Sequence, residues 1–141
     1  CAGTILTFDV LPHNNAMYWN CIDDLEKPKT RAELLQPWQS LVQNFILFHQ
    51  GDTRLELPKV KTERIHFAFL DGGHTYEDVM FEFKQIRRYQ RPGNIIVCDD
   101  YNPHQFPGLV RAVDKICSTY NHQCEFLKAH SGRGYVVAVK L

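Results

Sequence analysis

Ile65-His66-Phe67-Ala68-Phe69-Leu70-Asp71-Gly72-Gly73-His74 and Asn94-Ile95-Ile96-Val97-Cys98-Asp99-Asp100-Tyr101 decide how this chain folds. In each stretch an apolar run of strand length stops at a carboxylate. Between them Tyr76, Val79, Met80, Phe83 and Ile86 recur at helical spacing, and Pro92-Gly93 closes the segment. Strand, helix and strand in that order form a right-handed unit with parallel strands, so both carboxylate sets leave the sheet at one edge. Open α/β sheets bind ligands at that edge. Asp71, Asp99 and Asp100 can therefore converge, and three hard oxygen donors point to a Mg²⁺-type site. His74 stands within reach of whatever such a cation would hold.

Working outward, strands and helices alternate. Residues 4–10 read as a strand ending in Asp9, and residues 12–20 as a polar and aromatic loop. Residues 23–30 are charged, interrupted by proline, and read as a mobile loop. Leu34, Leu35, Trp38, Leu41 and Val42 give residues 31–43 one buried helical stripe. Residues 45–49 form a second strand, followed by Gln50-Gly51-Asp52-Thr53. The third strand spans 65–70 and the next helix 75–89, with Thr75 and Asp78 resembling a capping box. Residues 94–98 are nearly all apolar, which predicts a strand buried on both faces. Leu109, Val110, Val113, Ile116, Cys117 and Tyr120 mark another helix. Strands at 124–129 and 135–141 flank Ser131-Gly132-Arg133-Gly134, a closing hairpin. The expected fold is α/β, mostly parallel, with one antiparallel strand near the end.

A chain of 141 residues is expected to form one domain. Sixteen basic and sixteen acidic residues cancel, so nothing favours nucleic acid as a partner. No apolar run reaches the roughly 18 residues of a membrane span, and no signal peptide is visible. The five cysteines are odd in number and form no C-x-x-C pair. Cys98 and Cys117 fall at apolar positions and read as small buried hydrophobes in a reducing, cytoplasmic setting, without disulfides or zinc. The first residue is Cys1, and a strand follows almost at once, as expected of a segment of a longer protein.

The candidate chemistry competes with ordinary structural uses. An acid at the end of an early strand, such as Asp9, can accept hydrogen bonds from ribose hydroxyls, but is also a common turn residue. Gly51-Asp52 marks turns in general. Ending a buried strand in Asp99-Asp100 is different, because adjacent carboxylates repel unless a cation or donors compensate. Gly72-Gly73 after Asp71 would let the backbone turn tightly or approach a ligand. His74 could merely lead into the Thr75 cap. It also lies at a helix amino terminus, whose dipole disfavours imidazolium, and a neutral histidine can take a proton. His13, His49, His66, His104, His122 and His130 have no comparable context.

Asp9, Gly51-Asp52, Leu70-Asp71-Gly72-Gly73-His74 and Asp99-Asp100-Tyr101 together resemble the successive motifs of class I S-adenosylmethionine-dependent methyltransferases. The likeness is greatest to the group containing the macrocin and mycinamicin sugar O-methyltransferases. It runs from the second strand of that Rossmann-like fold through its last. The resemblance implies that Asp71, Asp99 and Asp100 bind Mg²⁺ and that His74 is the base. It also implies that Asp9 holds the ribose hydroxyls, that Gly51-Asp52 lies near adenine, and that Asp71 borders the cofactor. The family's first strand and glycine-rich turn, which cradle the methionine part of the cofactor, would precede Cys1. That strand normally lies between the ones placed here at 4–10 and 65–70.

The resulting expectation is methyl transfer from S-adenosylmethionine to a hydroxyl of a small molecule of sugar or natural-product type. Tyr101, Asn102 and residues 103–107 are candidates for the acceptor wall, and Tyr18 and Trp19 for covering adenine or substrate. No nucleic-acid or membrane partner is expected, and a homo-oligomer is possible. Two other classes stay open: a non-catalytic binding module that keeps the fold, and a phospho-receiver domain. The latter would carry its acid pair on the first strand and a lysine later, whereas here the pair falls on the fourth.

Overall fold

A computed structural model describes residues 3–19, 26–130 and 132–141. The chain divides into two compact units, Cys1–Glu56 and Leu57–Leu141.

In the first unit, strand β1 (Ile5–Asp9) pairs in parallel with β2 (Ile46–Gln50), with Asp9 opposite Gln50. Helix α1 (Arg31–Leu35) starts at a capping box. The Thr30 hydroxyl accepts from the Glu33 amide at 3.2 Å, and the Thr30 amide donates to the Glu33 carboxylate at 2.8 Å. The single helix expected over 31–43 is broken. Pro37 has no amide hydrogen and crowds the preceding turn, so a 3₁₀ turn, Gln36–Trp38, separates α1 from α2 (Gln39–Phe45). A short helix, α3 (Thr53–Glu56), follows β2. Residues 23–25 of the loop expected at 23–30 lie outside the described residues; beyond them Lys29 bridges to Met17. His13 is the one buried side chain among the unit's described residues, while Ile5, Val10, Leu11, Leu41, Leu47 and Leu55 are exposed.

The second unit carries the apolar core. Its sheet has the order β3 (Phe67–Leu70), β4 (Ile95–Cys98), β6 (Gly134–Lys140), β5 (His122–Lys128). The β3–β4 pair is parallel, and β6 runs antiparallel to both of its neighbours, as expected for one reversed strand. Helix α4 (Tyr76–Ile86) is capped by Thr75, whose hydroxyl accepts from the Asp78 amide at 3.1 Å. Val79, Met80, Phe83 and Ile86 of α4 are buried, as are Leu109, Ala112, Val113 and Ile116 of α5 (Pro107–Thr119). Ile96 and Cys98 of β4 and Val136 and Ala138 of β6 complete this core. The alternate β4 residues, Ile95 and Val97, are only half-buried, so the strand is fully covered on one face rather than two. Phe67 and Phe69 of β3 are exposed. β1 and β3 each have a single strand partner among the described residues, and the two sheets are separate.

The expectation for the cysteines is overturned. Cys117, in the last turns of α5, and Cys124 of β5 form a disulfide with their Cα atoms 5.8 Å apart. The tight connection between α5 and β5 brings the two together, a pairing that the C-x-x-C criterion does not detect. Cys98 is the buried free thiol. No helix among the described residues is long and apolar enough to cross a membrane.

Candidate functional site

Parallel pairing of β3 and β4 sets Leu70 opposite Cys98, so Asp71 and Asp99 follow at the same sheet edge. The Asp99 amide donates to the Leu70 carbonyl at 3.0 Å and extends the ladder by one residue. The chain then turns sharply. Asp100 has φ of 53°, a left-handed conformation that Asp tolerates better than most residues. Its amide donates to Asp99 Oδ1 at 2.6 Å. The Asp100 carboxylate consequently faces His74, with Oδ2 3.2 Å from Nε2. The imidazole also stacks on Phe106, with centroids 4.1 Å apart and planes 19° apart.

Glycines make this convergence possible, though not by unusual φ at Gly72 or Gly73. A Cβ on Gly72 would lie 2.9 Å from Glu82 Oε1, and one on Gly73 2.5 Å from Asp78 Oδ2. Two carboxylates of α4 occupy the space that side chains would need. Gly108, at the start of α5, lets that helix approach the His74–Tyr76 backbone, since a Cβ there would meet Tyr76 N at 3.0 Å. His74 is therefore clamped between the beginnings of α4 and α5.

Among the described residues, Asp71, His74 and Asp100 form a group that could hold a metal, with one ligand atom from each within 4.8 Å of the others. Asp99 stands apart from this group. It is buried, its Oδ1 accepts from Asp100 N–H, and its Oδ2 pairs with Arg133 Nη2 at 2.8 Å. The same guanidinium donates from Nε to Asp100 Oδ1 at 2.9 Å and lies 3.8 Å from Asp71 Oδ1. Arg133 is the site residue that sequence reading missed. Its context, between Gly132 and Gly134, reads only as a turn, and its partners are about thirty or more positions away. Gly134 seats that turn: its carbonyl accepts a 2.9 Å bond from the Tyr101 amide, and a Cβ would lie 2.5 Å from the Tyr101 carbonyl.

Burial pushes the Asp71 carboxyl above the usual carboxylate range, with Asp99 adding to the effect and Arg133 opposing it. The donor chemistry fits a hard divalent cation, because Asp71 and Asp100 offer oxygens and three carboxylates face a single compensating guanidinium. Tyr101, a candidate for the acceptor wall, has its hydroxyl donated to Asp114 at 2.7 Å. Burial, then that bond, hold its phenol up at about 12, so it stays protonated. Asn102 Oδ1 accepts from the His104 and Gln105 amides, which folds the following loop. Asp100, Asn102, Gln105 and Gly132–Gly134 line a cavity of about 320 Å³.

The other candidate residues lie in the first unit. Asp9 Oδ1 accepts from the Leu11 amide at 2.9 Å, while Oδ2 is 4.0 Å from His13 Nε2. His13 Nδ1 meets the Arg31 guanidinium, which lies over the Phe48 ring. Burial lowers the His13 pKa, with Arg31 in the same direction and Asp9 opposing. His13 thus has a context after all, as a neutral bridge between Asp9 and Arg31. Gly51 adopts φ of 149° and donates to the Asp9 carbonyl at 2.9 Å. Asp52 Oδ1 accepts from the Arg54 amide at 2.8 Å and so starts α3. Trp19 donates from Nε1 to the Lys29 carbonyl at 2.8 Å, and Tyr18 is exposed.

A family model described as a methyltransferase domain matches residues 2–101. Among solved structures, the O-methyltransferase TomG from Streptomyces achromogenes, involved in tomaymycin synthesis and in complex with SAM, is 16% identical with a TM-score of 0.65. That alignment covers 98% of this chain and 62% of TomG. The Bacillus cereus O-methyltransferase in complex with SAH is 16% identical with a TM-score of 0.61, covering 79% of this chain and 57% of that one. The TDP-rhamnose 3'-O-methyltransferase of calicheamicin biosynthesis is 19% identical with a TM-score of 0.65, covering 94% and 58%. These likenesses establish the Rossmann-like class I methyltransferase fold, and the chain spans about three fifths of such structures' length. An uncharacterized protein of Acanthamoeba polyphaga mimivirus is 38% identical over 53 residues, 37% of this chain and 24% of that protein.

Proposed function

The chain belongs to the methyltransferase-domain family, and from that premise we propose that the whole protein is an S-adenosylmethionine-dependent, Mg²⁺-dependent O-methyltransferase acting on a hydroxyl of a small molecule of sugar or natural-product type. The observation that carries this reading is the convergence of Asp71, His74 and Asp100 at the carboxyl edge of β3 and β4. The relatives solved with SAM or SAH support the choice of methyl donor.

When bound, S-adenosylmethionine supplies an electrophilic methyl group and Mg²⁺ supplies a charge that acidifies a nearby hydroxyl. Asp71 and Asp100 would hold the cation, and Asp71 would also border the cofactor. Asp99 contributes from behind, fixing Asp100 through its amide. His74 takes the hydroxyl proton. With Nε2–H donated to Asp100 Oδ2, the ring's lone pair lies on Nδ1, the atom at which that proton would be accepted. Phe106 holds the ring plane. In the first unit, Asp9 would receive the ribose hydroxyls, with Gly51-Asp52 near adenine. Much of the rate would come from these residues positioning the acceptor hydroxyl against the bound cofactor.

The test is incubation of the full protein with methyl-labelled S-adenosylmethionine and a panel of hydroxylated sugars and phenols, with Mg²⁺ or with a chelator. Labelled methyl ether formed only with the divalent ion is expected. Cofactor binding with no transfer to any acceptor would favour the non-catalytic binding module, and transfer undiminished by chelator would remove the cation from the mechanism.

A further inference from the structure

Both oxygens of the Asp100 carboxylate are already engaged, Oδ2 by His74 and Oδ1 by Arg133. A cation that takes Asp100 as a ligand must therefore contend with one of them. We propose that Arg133 is a displaceable internal counter-cation: its guanidinium neutralises the carboxylates of Asp71, Asp99 and Asp100 until a divalent ion binds, and then leaves them. This inference rests on the cation reading above and adds to it the group that must move.

Three observations carry it. First, one guanidinium reaches all three carboxylates, at 2.8 Å from Asp99, 2.9 Å from Asp100 and 3.8 Å from Asp71. Guanidinium and divalent cation would repel at such spacing, so occupancy by both is disfavoured. Second, the Arg133 side chain is 44% exposed, so it can leave into water without unpacking a core. Third, the backbone under it stays fixed. The Ala129 amide donates to the Arg133 carbonyl at 2.8 Å, and the Tyr101 amide donates to the Gly134 carbonyl at 2.9 Å. Side-chain rotation alone can then release the site while the hairpin stays in place. Asp99 keeps its bond from the Asp100 amide after Arg133 departs.

The experiment is Mn²⁺ binding, read by electron paramagnetic resonance of the free ion, to the wild-type full protein, Arg133→Gln and Arg133→Lys. Removing the competing charge should tighten Mn²⁺ binding about tenfold or more in Arg133→Gln. Without added ion the same variant should unfold at a lower temperature than wild type, and Mn²⁺ should restore it. Arg133→Lys keeps a charge but loses the planar fork that spans two carboxylates, so its affinity should fall between the two. If Arg133→Gln does not fold, Arg133→Lys tighter than wild type still supports the inference, and equal or weaker binding overturns it. Measurable but equal affinity in wild type and Arg133→Gln overturns the role of Arg133 alone. No binding in either overturns the cation reading and this inference with it.

Discussion

Asp100 links the backbone to the chemistry of the site. Its left-handed φ turns the chain so that the Asp100 carboxylate faces His74 while Asp99 stays buried, with the Arg133 guanidinium bridging the two. A second histidine shows the opposite situation. His122 is buried against the Phe83 ring, with no hydrogen-bond partner for either ring nitrogen. Burial, then Lys140 and Arg87, lower its pKa from the ordinary histidine value. The unfolded chain therefore binds a proton more readily, and the associated stability is complete above about pH 6.5 and is lost as the pH falls. His122→Phe should raise stability by about 1 kcal/mol at neutral pH, by removing unpaired buried nitrogens. Its advantage over wild type should widen in thermal unfolding between pH 7 and pH 5. A constant or shrinking advantage would show that His122 does not carry this cost. Asp71, Asp99 and Asp100 were legible in the sequence because two successive apolar runs stop at carboxylates, one of them at an adjacent pair that repels unless compensated. Arg133 and His122 were not, since their surroundings come from tertiary structure, and the Arg31 guanidinium that meets His13 lies 18 positions away.

At the scale of elements, periodicity located every strand and the two long helices of the second unit. What it missed has local causes: Pro37 splits the first helix, and α3 is one turn long, too short for a periodic stripe. The disulfide was missed for the reason given by its place, a helix end and a strand start joined by a tight connection. It ties β5, at one edge of the four-stranded sheet, to α5. Closing so short a loop contributes about 2–3 kcal/mol by restricting the unfolded chain. Reduction, or Cys117→Ser, should lower stability by that amount in chemical denaturation. Cys98 provides the internal control. Burial, then Glu82, hold its thiol up at about 12, so alkylating reagents should not modify it in the native protein at pH 8. A denaturation midpoint unmoved by reductant would mean that the bond contributes nothing. The bond also runs against the reducing, cytoplasmic setting expected from cysteine usage.

On the scale of the whole molecule, the proposed labour is divided. The first unit carries the cofactor candidates Asp9 and Asp52, and the second carries Asp71, His74 and Asp100. Substitutions in the two units should therefore separate. A ribose hydroxyl donating to an ionised carboxylate contributes about 1.5–3 kcal/mol. Asp9→Ala in the full protein should thus weaken S-adenosylhomocysteine binding roughly tenfold or more, with Mg²⁺ affinity unchanged, as calorimetry would record. Unchanged cofactor affinity would remove that role from Asp9. The parallel pairing of β3 and β4 was legible because each of these acid-ended strands precedes its helix. The separation into two sheets was not read from the residue pattern, which assigns faces and not edges, and was implied only by the resemblance that sets a further strand between those at 4–10 and 65–70. The account turns on His74 as the proton acceptor, and the most direct measurement is turnover of His74→Ala at saturating S-adenosylmethionine and Mg²⁺. The account predicts a loss on the order of 10²–10⁴-fold with both affinities retained; wild-type turnover would reduce His74 to the residue before a helix cap and contradict the mechanism.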